Sequence, residues 1–207
     1  MIQPWEFIGE ADYVLVESTY GGRIHEDLNV RRDKLEDVIE ETVRGGGALM
    51  IPAFALERTQ ELLFELNDLV EHGRIPPVPI FVDSPLAIRL TAVYQKYSRD
   101  PFYFNQESVD LIRGGDAIFD FKGLRMTLAT EQSREIKAVP PPKVIIAGAG
   151  MSNGGRILHH EKEYLSDPKN AILFLGYQAH GSLGRQIFDG AKMVKIFGEE
   201  VPVGCRI

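Results

Sequence analysis

One cysteine, Cys205, stands among 207 residues, so the chain cannot form an internal disulfide and cannot build a thiolate zinc site by itself. Any metal would need His and carboxylate ligands, and only five His are present. No apolar run approaches the roughly 20 residues of a membrane helix. The start, Met1-Ile2-Gln3-Pro4-Trp5-Glu6, lacks the basic and then apolar layout of a signal peptide. A soluble cytoplasmic protein with no membrane partner is the expectation. Charged residues make up 26% of the chain without a long block of one sign, which excludes intrinsic disorder and a coiled coil. Cations are also in deficit. Thirty acidic against 23 basic residues leave a net charge of -7, so the chain as a whole repels a phosphate backbone and only a local basic or amide-lined groove could bind one.

What is present is enough for one large domain or two small ones, with 44% hydrophobic residues to fill a core. Short apolar runs alternate with helical patterns, the signature of βαβ units. The expected fold class is therefore α/β, a mostly parallel sheet flanked by helices on both faces. Strands are expected at Tyr13 to Glu17, Ala48 to Ala53, Ile80 to Asp83, Lys143 to Gly148 and Ala171 to Tyr177. Leu35, Val38, Ile39, Thr42 and Val43 repeat at helical spacing before Gly45-Gly46-Gly47, and Leu56, Leu62, Leu63, Leu66, Leu69 and Val70 do so before Gly73. Between 86 and 142 the pattern predicts a helical stretch through Tyr94, a helix from Gln106 to Arg113, and a β pair of Ile118 to Phe121 with Leu124 to Leu128. A second β pair is expected around Gly198-Glu199-Glu200.

Candidate chemistry lies where strands end, the edge on which open α/β sheets bind ligands. Glu17 closes the first apolar run and Ser18-Thr19-Tyr20-Gly21-Gly22 follows, although Glu17 could equally serve as a turn cap. His25 has no second ligand at metal-binding spacing. Gly148 to Arg156 joins a strand to a helix, where glycine amides could cradle a phosphate. Its glycines read GxGxxxG, and no acid ends the next strand, so it departs from a dinucleotide fingerprint. His159 and His160 are adjacent and point about 100° apart, which makes joint chelation difficult. Gly176 to Arg185 repeats the theme, with Ser182 as a helix cap and Arg185 in the first turn, either as an anion site or as a tight βα turn. Phe54 to Glu61 and Asp83-Ser84-Pro85 occupy the same place after two further strands, with Asp83 or Ser84 fit to cap a helix.

The order of these motifs resembles a known family. Val-Glu-Ser-Thr-Tyr-Gly at 16–21, Pro-Ala-Phe-Ala-Leu-Glu-Arg-Thr-Gln-Glu-Leu at 52–62, Asp-Ser-Pro-Leu-Ala at 83–87, Gly150-Met151-Ser152 with Gly154-Gly155, and Gly-Tyr-Gln with Gly-Ser-Leu-Gly-Arg at 176–185 are similar to the β-CASP domain of RNA-processing nucleases of the metallo-β-lactamase fold. That group includes the catalytic subunit of the cleavage and polyadenylation specificity factor and, more distantly, ribonuclease J. The likeness covers almost the whole chain. It implies one β-CASP domain over 1–207, excised from a larger zinc-dependent RNA endonuclease or exonuclease that hydrolyses phosphodiesters. The two zinc ions of such a parent would be held outside this chain, since the family's His-Xaa-His-Xaa-Asp-His motif and its later histidines do not occur here. The resemblance implies no metal ligand and no cofactor in these residues, and an isolated chain without ribonuclease activity. Glu17 matches the acidic residue of the family's motif A, placed to orient a histidine outside this chain. Ser18, Thr19, Tyr20, Phe54, Arg58, Ser84, Met151, Ser152, Arg156, Tyr177, Ser182 and Arg185 would face single-stranded RNA. The metallo-β-lactamase domain would be the intramolecular partner, and a homodimer stays open. Two other classes also stay open: a nucleotide-binding Rossmann-like domain and a noncatalytic protein-interaction domain.

Overall fold

A computed structural model describes residues 1–4, 6–25 and 27–207, with the backbone alone at 28 and 29. Five strands, β1 (Ala48–Pro52), β2 (Ile80–Asp83), β3 (Leu124–Met126), β4 (Lys143–Ala147) and β5 (Ala171–Ile172), form one sheet in the order β3-β2-β4-β1-β5. Every pairing in it is parallel, with Leu49 opposite Val144 and Ala171, and Ile80 opposite Val144 and Leu124. Side chains alternate between the faces. Leu49, Ile51, Ile80, Val82, Val144 and Ile146 point to one layer, against Leu35 and Ile39 of α1 (Leu28–Arg44) and Leu62, Leu63, Leu66 and Leu69 of α2 (Arg58–Glu71). Met50 and Ala147 point to the other, against Ile157 of α6 (Ile157–Tyr164) and Ile187 of α7 (Leu183–Phe188), while Phe81 and Ile145 meet Ile136. Both faces are thus covered, which is why the strands read as continuous apolar runs.

The remaining helices are α3 (Pro85–Tyr97), α4 (Gln106–Arg113) and α5 (Thr130–Glu135), the last unexpected from sequence. β6 (Met193–Ile196) and β7 (Glu199–Pro202) form the expected antiparallel pair. Helix α2 begins at Arg58 rather than Leu56, whose side chain is exposed.

Three expectations need correction. Ile118 to Phe121 is a turn, whose Ile118, Phe119 and Phe121 are buried, and Leu124–Met126 pairs with β2 in parallel instead. The strand from Ala171 ends at Ile172. Tyr13 to Glu17 is not a strand, and Tyr13, Val14, Leu15 and Val16 are all exposed. Branched apolar residues favour a strand only where an edge offers hydrogen bonds and a packing face. The free side of β5 is already engaged by Arg206, which bridges Ala171 in parallel and whose carbonyl accepts the Ile172 amide.

Candidate nucleic-acid interface

Because the strands run parallel, the turns after β1, β2 and β4 emerge on one edge of the sheet. The turn after β1 carries Phe54, half exposed, with its carbonyl held by the Thr59 hydroxyl at 2.7 Å. Its ring lies over Gly150, where a Cβ would come within 2.7 Å of Phe54 Cδ2. Gly150 therefore makes room for a neighbouring ring, and not for the close approach of a dinucleotide's pyrophosphate.

The loop after β4 is tied to the loop that precedes α7. The Gln178 side-chain amide donates to the carbonyls of Gly150 (3.0 Å) and Gly176 (3.2 Å), the Gly184 amide donates to Met151 O (3.0 Å), and the Leu183 amide donates to Asn153 Oδ1 (3.2 Å). A Cβ at Gly184 would sit 2.0 Å from Gln178 Oε1 and 3.0 Å from Met151 O. Glycine is needed there because the two loops touch. Gly184→Ala is expected to push them apart and destabilise the fold by about 1–3 kcal/mol. Thermal unfolding checks this, and an unchanged midpoint would show that the loops separate freely. No protein acceptor takes the amides of Asn153 and Gly154 among the described residues.

Although Glu17 does not end a strand, its loop still reaches this edge. Tyr20 Oη accepts a hydrogen bond from the Tyr177 amide, and the two rings meet edge-on with centroids 6.3 Å apart. Tyr20 also contacts His25 at 4.7 Å. Ser18, Thr19 and Glu17 are exposed, and the Thr19 amide donates to Glu17 Oε2 at 3.0 Å. Hydrogen bonding from the Thr19 side chain, and next from its amide, holds the Glu17 carboxyl below its ordinary pKa.

Four of the expected contact side chains are occupied inside the protein. Ser84 and Ser182 cap α3 and α7, accepting from the amides of Ala87 (3.3 Å) and Arg185 (3.1 Å). Ser152 is buried and donates its hydroxyl to Glu161. Arg156 donates to Asp83 Oδ1 and Thr127 O, both at 2.8 Å, and to Leu128 O at 3.2 Å. Its charge is spent on a buried carboxylate rather than offered to a phosphate. Arg58 and Arg185 are half-buried and share their charges with Glu61 (2.7 Å) and Asp189 (2.8 Å). Of the expected set, Ser18, Thr19, Phe54 and Tyr177 present the most open surface, with Tyr20 and Met151 half-buried.

Sequence reasoning missed the centre beneath these loops. Asp83, fully buried, accepts from Thr127 Oγ1 (2.8 Å), Ser133 Oγ (2.7 Å), Arg156 (2.8 Å) and His160 Nε2 (2.7 Å). Burial raises its pKa, but the hydrogen bonds from His160, Ser133 and Thr127 and the charge of His160 outweigh that and pull it down to about 2. One signal was available, since Arg156 and His160 are four apart and share one helix face. Among the described residues, no three His, Cys, Asp or Glu side chains come together as a metal site. Among the described residues, the two zinc ions implied by the resemblance have no matching donor set.

Similarity to known proteins bears on this geometry. The family model for the Beta-Casp domain matches residues 59–187. The chain is 43% identical over 198 residues to ribonuclease TTHA0252 of Thermus thermophilus, covering 95% of this chain and 44% of that protein. It is 34% identical over 204 residues to an RNase J-like protein of Methanocaldococcus jannaschii (97% of this chain, 45% of that one). Against transcription termination factor FttA of Methanosarcina mazei the identity is 33% over 189 residues (90% and 29%). The chain spans less than half the length of each of these relatives. No helix among the described residues is long and apolar enough to cross a membrane.

Proposed function

The chain belongs to the β-CASP family, and from that premise we propose that it is the RNA-binding domain of a zinc-dependent ribonuclease. The observation that carries this is the edge where Tyr20, Phe54 and Tyr177 gather beside two glycine loops locked to each other. Two of the relatives are named as ribonuclease and RNase J-like, which supports RNA as the polymer. On this reading, 1–207 is a single domain and its covalent partner is a metallo-β-lactamase domain. That domain would supply both zinc ions and the catalytic histidines, with Glu17 orienting one of them from this side. The setting is the cytoplasm.

The occupied arginines sharpen the expected behaviour. With Arg156 withdrawn into the fold, one or two phosphates are left for Arg58 and Arg185. Single-stranded RNA should therefore bind weakly, and log affinity should fall against log salt with a slope of about -0.7 to -1.4. Arg185→Ala should lower the slope by about 0.7 at little cost in stability. Fluorescence anisotropy with labelled oligouridine across a salt series checks this. Absence of binding, or a slope of zero, would overturn the proposal.

A further inference from the structure

A second aromatic cluster lies away from the loop edge. Helix α3 starts at that edge, beside Ser84, and its 13 residues carry the chain about 20 Å along the helix to Tyr97. The turn that follows is tightly specified. The Asp100 amide donates to Tyr97 O (3.0 Å), Asp100 O accepts from Tyr103 (3.1 Å) and Phe104 (3.2 Å), and Asp100 Oδ1 takes the Phe102 amide (2.9 Å). The Gln3 side chain donates to the carbonyls of Pro101 (2.8 Å) and Phe104 (3.0 Å). Phe104 goes inward, 2% exposed, and meets Tyr94 edge-on at 6.0 Å.

Its neighbours go outward. Phe102 is 77% exposed, Tyr103 48% and Tyr97 40%, although apolar residues of this size ordinarily find cover. They touch one another edge to face, Phe102 with Tyr103 at 4.9 Å and Tyr103 with Tyr97 at 5.3 Å. Cations share this stretch of chain. Lys96 Nζ lies 5.2 Å from the Tyr97 centroid, and Arg99 has no ion pair among the described residues. One carboxylate, Asp100, is close and is engaged by the turn.

We propose that Tyr97, Phe102 and Tyr103, with Lys96 and Arg99 in the same segment, form a stacking platform for bases of single-stranded RNA outside the loop edge. Every base has a π-face, so rings of this kind bind without sequence preference, while cations beside them hold the backbone. In a chain of net charge -7, two cations in the same stretch as three exposed rings make a local exception that suits a polyanion with flat bases. The platform rests on the RNA-binding function proposed above and extends it to a second contact along the strand.

The test compares the wild-type chain, Phe102→Ala and Tyr177→Ala. Probes are labelled oligouridine of about 16 nucleotides, the upper site size of single-strand-binding folds, and an abasic strand of equal length. Phe102→Ala should weaken oligouridine binding by about tenfold, the size expected for losing one stacked base. It should leave abasic binding and the thermal midpoint unchanged. Phe102→Trp should restore affinity and show emission quenched by oligouridine and not by the abasic strand. Equal affinities for wild type and Phe102→Ala, with Tyr177→Ala impaired, would overturn the platform and leave the loop-edge function standing. Failure of the wild type to bind either strand would overturn both. Concentration-dependent association of the wild type that Phe102→Ala abolishes, with RNA affinity unchanged, would assign the rings to contact between copies and also overturn the platform.

Discussion

Asp83→Ala is expected to destabilise the protein by about 3–5 kcal/mol, because it leaves the Arg156 guanidinium and the buried His160 Nε2 without their shared acceptor. Set against the roughly 5–15 kcal/mol that holds a typical domain together, this is a large fraction. It corresponds to a drop of roughly 10 °C in the unfolding midpoint at this chain length. The effect extends to the candidate interface, since Asp83, Thr127, Ser133, Arg156 and His160 join β2, the start of α6 and the segment after β3 at one point. The Gly148–Arg156 loop is anchored from below by that point.

The pH dependence has a definite sign. Asp83 has a folded pKa of about 2, below its ordinary value of 3.8. Its stabilisation is therefore present above pH 3.8 and lost as the pH falls through 2, amounting to about 2 kcal/mol. Urea titrations of wild type and Asp83→Ala at pH 7 and between pH 4 and 2 measure both parts. A loss below about 1 kcal/mol at pH 7 would mean that Arg156 and His160 find water or other partners when Asp83 is removed.

The parallel sheet was legible because β1, β2 and β4 are buried on both faces and are apolar throughout apart from Asp83 at the end of β2 and Lys143 at the start of β4. Val14-Leu15-Val16 shows why that signal is incomplete. Its composition matches a strand, yet a strand also needs a neighbour, and composition says nothing of neighbours. The same limit applies to the site. The glycine loops could be found from their positions between strand and helix, but whether an arginine faces solvent or a buried carboxylate is decided by residues far away in sequence. Arg156 and Asp83 are 73 positions apart, and Ser133 and Asp83 are 50 apart. Arg185 and Arg58, by contrast, pair with acids at i+4 and i+3, and those pairings could have been read from spacing alone.

Glu161→Gln is expected to do the reverse of Asp83→Ala and stabilise the protein at neutral and alkaline pH. Both carboxyls are fully buried, but Asp83 receives four donors, while Glu161 receives only the Ser152 hydroxyl and keeps Oε2 without a partner. Burial therefore dominates at Glu161 and pushes its pKa up to about 8, with the Ser152 hydrogen bond opposing. A folded pKa above the ordinary 4.5 means that stability is fully present below pH 4.5 and is lost as the pH rises through 8. The whole span is on the order of 5 kcal/mol. Nothing nearby offers compensation, because His160 is committed to Asp83 and the Cys205 thiol, raised to about 11 chiefly by burial, stays protonated. Glutamine keeps the shape and an acceptor for Ser152 while removing the charge. The variant should match the wild type near pH 5 and exceed its midpoint at pH 8 by roughly 10 °C. Melting curves at pH 5, 6.5 and 8 decide the matter: parallel curves for the two proteins would show that Glu161 opens to water when it ionises.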